Sequence, residues 1–319
     1  MRFIIKRLLQ GLGVLLGTLT LVFFIFSFVP DPARELAGQT ERESVVQAFR
    51  HKHGLDLPMY SRYIGFISNA AIGDLGSSYI TDRPVIDSIK GALPATLILA
   101  SVAMFFAAFF GIMIGLVLAI FPKSRIGDIV LSICALGMSA PSFVVAILVA
   151  WLFGYVLHSY THLPMTGGMI TVDPFEGPRL AWAHLILPAF TLGIRPLAVI
   201  IQLSRNSAIE VLGAPYIRTA RAKGLSRSRI LLNHVLRNSL NPVLTATSGW
   251  FASMLAGAVF VEFVFGWKGM GLLMFNALES GDLPIVMGCT LVISSIFVLI
   301  NVAVDLLYGI LDPRVRSSR

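Results

Sequence analysis

Residues 216–238, YIRTARAKGLSRSRILLNHVLRN, place a basic, helix-compatible stretch between two of the most apolar regions of the chain. Their surroundings decide what such a stretch can be. Of 319 residues 56% are hydrophobic and only 13% charged, with a mean hydropathy of +0.80. A soluble globule of this size needs roughly 25% charged residues to cover its surface. The composition therefore puts the chain in a membrane and the basic stretch at its edge.

Six apolar runs support that placement: 8–29, 92–121, 129–157, 184–204, 242–261 and 283–304. Five carry no charge and the fourth is interrupted only by Arg195. Each reaches the roughly 20 residues that a helix needs to cross the hydrocarbon core. The first begins behind Arg2, Lys6 and Arg7, as a signal peptide would, but its apolar run is too long and no small-x-small cleavage site follows. It is expected to stay as an anchor. The predicted fold class is an all-α integral membrane protein of six transmembrane helices.

Lysine and arginine fix the expected orientation. They cluster in the N-terminal tail, in the turn holding Lys123 and Arg125, in the opening stretch from Arg205 to Arg237, and in the tail with Arg314, Arg316 and Arg319. With six spans all four lie on one side, the cytoplasm, with both termini inside. The expected divisions are 1–30 for the tail and first helix, 31–91 for a small external subdomain, 92–309 for a five-helix core including a cytoplasmic loop at 205–240, and 310–319 for the tail. The external piece balances seven basic residues against eight acids. Thr40 and Glu43 read as a capping box opening a helix towards His53, Gly54 as its end, and Pro58 as the first turn of a second helix reaching Ala71. GDLGSSYITDRP, 73–84, reads as surface turns.

Within 205–240, Gly213 and Pro215 break the chain and 216–223 can form a short helix. Gly224 suits the residue after its end. Ser226 can cap a new helix, with Leu225 stapled to Ile230. That helix puts Ile230, Leu231, His234 and Val235 along one side, while Arg227, Arg229 and Arg237 supply charge. Asn238 to Asn241 make a polar step, and Pro242 opens the next span. Helix, glycine corner, helix is the shape of a docking element. The competing reading is positive charge held against anionic lipid; nucleic acid is disfavoured because the charge is tied to a membrane and no stacking aromatics interleave with it.

Catalytic and metal chemistry is sparse. Cys134 and Cys289 fall inside spans and read as buried thiols. His51 and His53 would point apart on a helix, with no third ligand near in sequence. No P-loop, H-E-x-x-H or G-x-S-x-G occurs. No catalytic residue, metal site or cofactor is therefore assigned. Arg195 stands in a span between Pro188 and Pro196; it either pairs with carbonyls freed by a kink or lines a pore. Gly111, Gly115 and Gly137 permit close helix contacts.

YIRTARAKGLSRSRILLNHVLRNSLNPV, 216–243, resembles the EAA-type cytoplasmic loop of ABC-transporter permeases, in the form carried by dipeptide, oligopeptide and nickel permeases. Residues 53–100, 258–288 (AVFVEFVFGWKGMGLLMFNALESGDLPIVMG) and 305–316 (DLLYGILDPRVR) resemble the family's external segment, fifth-span exit and tail, in the same order. The resemblance implies the type I ABC importer permease fold in a bacterial inner membrane. It also implies a second, related but distinct permease chain, two cytoplasmic ATPase subunits that bind ATP-Mg, and an external solute-binding protein. The coupling residues it implies are Ala220, Lys223, Gly224, Leu225, Ser226, Arg227 and Arg229. Two departures stand out: Arg218, Thr219 and Ala220 replace Glu-Ala-Ala, and VPDPA shortens the usual Pro-Gly-Asp-Pro. Binding-protein contacts are expected on 31–90, with Asp74 and Asp82 as candidates, and on 266–282. An ion-coupled secondary transporter, the alternative class, predicts acidic residues within spans and an inverted repeat; the spans offer only Glu262 and Asp305 near their ends, and no convincing repeat.

Overall fold

A computed structural model describes residues 2–27, 43–173 and 177–311, so Thr40, the VPDPA junction and the tail from 312 lie outside the described residues. The chain forms two compact units, one of Met1–Thr96 with Lys268–Arg319 and one of Leu97–Trp267.

In the first unit, helix α1 (Arg2–Ser27) packs along the C-terminal helix, and α2 (Glu43–Lys52) and α3 (Met59–Ala71) follow it. Gly11 permits the approach of α1: a Cβ there would sit 2.6 Å from Val298. Pro58 precedes α3 as its cap residue, close to the expected start. Aromatic side chains hold α3 on α1, with Phe23 against Tyr63 and Phe66 and the Thr20 and Tyr63 hydroxyls 2.6 Å apart. Helix α4 (Val85–Ile120) starts ahead of the expected position 92, with Asp87 in the first turn, where a carboxylate suits the helix dipole. Its opening turns join a core of Leu75, Val85, Ile89, Met270, Ile285 and Cys289.

The second unit holds the rest of α4, then α5 (Arg125–Ser139), α6 (Ser142–Trp151) running into a π-helical turn at Leu152–Val156, and the short α7 (His158–Thr161). Strands β1 (Ile170–Asp173) and β2 (Gly177–Leu180) pair antiparallel, a small addition to a predominantly helical chain. Helix α8 (Ala183–Gly213) continues through Pro188 and Pro196. After it come α9 (Pro215–Ala222), α10 (Arg227–Ile230), a second π turn at Leu231–Leu236, α11 (Arg237–Gly257) and α12 (Val259–Phe265). Helices α13 (Met270–Glu279) and α14 (Leu283–Leu311) return to the first unit.

Glycines set how closely α4 meets α8. A Cβ on Gly111 would lie 2.7 Å from Ile200, and one on Gly115 2.7 Å from the Ile201 carbonyl. Gly193 meets the Ala103 carbonyl from the other side. Small residues here let backbones touch, the usual means of joining helices where lipid removes the hydrophobic drive. A Cβ on Gly137 would lie a looser 3.2 Å from Ile194.

Among the described residues, four helical stretches are long and apolar enough to cross a membrane: Leu9–Ser27, Val85–Ile120, Ala183–Gly213 and Leu283–Val304. The count reaches six when two bent pairs are each taken as one span. The third run, read as one helix from 129 to 157, breaks between α5 and α6 with a bend of 112°. Its cause is local: the residue before a proline is pushed out of the helical region, and both Ala140 and Pro141 are extended, with ψ of 136° and 134°. The fifth run bends by 58° between Leu255 and Val259. Its polar step is not a linker, because α11 is already helical from Arg237 through Pro242. The Asn238 amide donates back to the His234 carbonyl at 2.7 Å and the Ser239 hydroxyl to that of Leu236 at 3.2 Å, so polar side chains bond their own helix.

Candidate functional site

The basic stretch folds as two short helices about a fixed corner. Helix α9 ends in a double hydrogen bond: the Gly224 N–H donates to the Arg221 carbonyl at 3.0 Å and the Leu225 N–H to that of Ala220 at 3.3 Å. This is the Schellman arrangement, which needs a left-handed residue at its turn, and Gly224 has φ of +77°. The same pairing ends helices at Gly54 and Gly73. Ser226 then opens α10, its hydroxyl accepting from the Arg229 N–H at 3.4 Å.

Beneath the corner lies an apolar cluster of Ala119, Ala208, Ile217, Ala220, Ile230 and Val235, with Leu225 packed against it. The expected staple of Leu225 and Ile230 is thus part of a larger core anchored on α4 and α8. Lys223, Gly224, Ser226 and Arg229 remain exposed, and a Cβ on Gly224 would meet nothing within 4 Å. The backbone of Arg227 begins α10. The π turn that follows was not legible in the sequence; such turns often mark functional segments.

A second candidate region belongs to the first unit. Loop 73–84 is fastened to the start of α14 by one buried carboxylate: Asp282 accepts a short hydrogen bond from the Ser78 hydroxyl and another, at 3.0 Å, from the Tyr79 N–H. Ser78 Oγ accepts in turn from the Thr81 N–H at 3.0 Å. Sequence reasoning missed this pairing, because 204 positions separate its partners.

Asp74 and Asp82 are both exposed. Asp74 accepts from the Gly76 N–H at 2.9 Å. Asp82 sits at φ +54° and pairs with Lys52 at 2.7 Å, whose hydrogen bond and charge hold its carboxyl below the usual range. His51 turns to Asp56 at 3.0 Å, while His53 lies against Phe49 and Tyr79 with ring centres 4.4 and 4.7 Å away. Burial, and secondly the neighbouring Lys52 charge, lower the His53 pKa below its usual 6.5. Burial raises that of Tyr79.

Arg195 opens onto a third region, within the second unit. One guanidinium nitrogen donates to the Ala140 carbonyl at 3.1 Å, at the break between α5 and α6. The freed carbonyl belongs to the neighbouring span and not, as expected, to a kink in the helix of Arg195 itself. Its Nε is buried without a hydrogen-bond partner among the described residues. Arg195 lines a cavity of about 120 Å³ together with Ser142, Thr191, Trp250, Ser253 and Met254.

Comparison with known proteins places these features in a common frame. Residues 111–317 match the model of the binding-protein-dependent transport system inner membrane component, and residues 1–100 match that of its N-terminal region. The glutathione transport system permease protein GsiC of Escherichia coli K12 is 36% identical over 99% of both chains. The di/tripeptide transport system permease protein DppB of Pseudomonas aeruginosa is also 36% identical over 99% of both. An inward-facing structure of the MetNI methionine ABC transporter shares the fold, with a TM-score of 0.54 and 20% identity over 71% of this chain and 97% of that one.

Proposed function

The chain belongs to the family of binding-protein-dependent transport system inner membrane components, a multi-pass permease subunit of an ABC importer, and from that premise we propose how it is driven and what it carries. Both termini and the corner at Gly224 face the cytoplasm. The chain pairs with a second permease, receives solute from an external binding protein, and hydrolyses nothing itself; two ATPase subunits bind ATP-Mg and supply the energy. The corner of Ala220, Lys223, Gly224, Leu225, Ser226, Arg227 and Arg229 enters a cleft of one ATPase. Closure of the ATPase pair moves that corner and biases the spans between outward- and inward-open states.

The observation that carries this reading is the exposed Gly224 corner standing on the buried cluster of Ile217, Ile230 and Val235. A flexible loop would absorb a push from a partner; a corner closed by two hydrogen bonds and packed on α8 passes it on. The solute is a peptide or a close relative, such as glutathione, as the names of the two relatives suggest. Asp74 and Asp82 meet the binding protein, and Arg195 lines the pathway. The ion-coupled alternative finds no support in the family match.

The test is uptake of a labelled tripeptide into proteoliposomes holding this chain with its partner permease and ATPases. Uptake that needs ATP inside and binding protein outside is expected. Uptake driven by an ion gradient without ATP would overturn the reading.

A further inference from the structure

The break in the third span does more than bend it. It brings the Ala140 carbonyl and the first residue of α6, Ser142, into one cavity with Arg195. Arg195 is near the middle of its span: twelve residues separate it from the start of α8 at Ala183, about 18 Å at 1.5 Å per residue. An arginine at that depth is costly unless something answers its charge.

Nothing anionic in the cavity does so. Among the described residues, its lining includes no aspartate or glutamate. Among the described residues the guanidinium donates only to a neutral carbonyl, and Nε is buried without a partner. Helix α6 adds a second positive element: it begins at the cavity wall with no side-chain cap, so the partial positive charge of its first turn faces the same neighbourhood. Thr191, Ser253 and the indole of Trp250 supply a polar and aromatic lining.

We propose that this cavity is a transient subsite for a carboxylate of the transported solute, with Arg195 as its charge partner and the start of α6 as supporting dipole. The proposal rests on the peptide-importer reading above. Peptides and glutathione carry a free carboxylate, which would lose part of its hydration on entering a cavity of about 120 Å³. A planar guanidinium meets a carboxylate with directed, charge-assisted hydrogen bonds. Occupied, the site replaces lost hydration and answers the arginine's charge; the bond from Arg195 to Ala140 ties the same residue to the break in the neighbouring span. Trp250 would pack against the apolar part of the solute, and partial opening of the cavity would let it leave.

The complete importer, reconstituted with its binding protein at saturation, should be compared as wild type, Arg195→Gln and Arg195→Lys. Glutamine keeps a donor for the Ala140 carbonyl but no charge; lysine keeps both. Tripeptide uptake should fall by about tenfold or more in Arg195→Gln and by only about threefold in Arg195→Lys, as expected for loss of a charge-assisted pair. Binding-protein-stimulated ATP hydrolysis should persist in both. Equal uptake in the two variants, or a loss of stimulated hydrolysis in step with uptake, would overturn the subsite. Absence of ATP-dependent uptake in the wild type would instead overturn the importer reading, and the subsite with it.

Discussion

The Leu225 N–H donates to the Ala220 carbonyl at 3.3 Å across Gly224, which makes the basic stretch a fixed corner and not a hinge. Both residues also pack into the cluster that reaches Ala208 on α8. A displacement of the corner must therefore displace the end of α8, the helix that meets α4 at Gly111, Gly115 and Gly193. Sites with such close contacts shift between discrete packings and do not deform smoothly.

Orientation is the first consequence to check. A reporter fused after Arg319 and a cysteine at Ser226 should both report the cytoplasm, and a cysteine at Ser77 the outside. Ser77 and Ser226 are exposed, so labelling at either is interpretable. Labelling of the Ser77 cysteine from the cytoplasm would refute the six-span topology.

Asp282 should matter more to stability than its position in a loop suggests. Asp282→Ala strands the buried Ser78 hydroxyl and the half-buried Tyr79 N–H without their acceptor, at a cost of about 1–3 kcal/mol for the buried donor and less for the other. The detergent-solubilised variant should melt earlier and be cut faster by chymotrypsin after Tyr79, whose N–H loses its hold on Asp282. Ser78→Ala, which leaves the Tyr79 bond in place, should be milder.

Charge reversal at the exposed acids separates docking from folding. Asp74→Lys and Asp82→Lys should weaken stimulation by the binding protein while the subunits still co-purify. Asp82→Lys carries an added penalty, because it sets a like charge against Lys52. Undiminished stimulation in both variants would count against docking on this loop.

The His53 ring gives a pH dependence of known sign. Its pKa in the folded chain is below 6.5, through burial and then Lys52, so near that pH the folded state binds fewer protons than the unfolded one and stability rises with pH. The contribution is complete above the usual histidine value and is lost as pH falls through the lowered one. Tryptic cleavage of the 43–84 segment should quicken on acidification below about pH 6, and His53→Phe should flatten the profile. An unchanged profile in His53→Phe would assign the effect elsewhere.

Legibility in the sequence followed the range of the interaction. The Gly224 corner was readable because its cause is local: a glycine after one helix, then a serine before the next. Helix ends at Gly54 and Pro58 were readable for the same reason. The break at Ala140 is not legible, although Pro141 stands in the sequence, because hydropathy over 129–157 is uniform and carries no direction. The paired strands Ile170–Asp173 and Gly177–Leu180 carry a β-branched signal in Ile170, Thr171 and Val172, too short to stand out in a chain of apolar helical runs. The π turn at Leu231–Leu236 and the bond from Ser78 to Asp282 have no local signature at all.

The central claim is that the Gly224 corner couples this permease to an ATPase, and Gly224→Val tests it most directly. The variant removes no charge and has room for its side chain within this chain. It nevertheless places a β-branched residue at φ of +77°, a cost of about 1–2 kcal/mol, and adds bulk where a partner should fit. Membrane insertion, ATPase co-purification and peptide uptake should be measured together, with a variant neutralising Arg227 and Arg229 as the lipid-anchoring control. The account predicts that Gly224→Val inserts normally but loses uptake, by uncoupling or by losing the ATPase. Normal ATPase binding and normal uptake in Gly224→Val would contradict it.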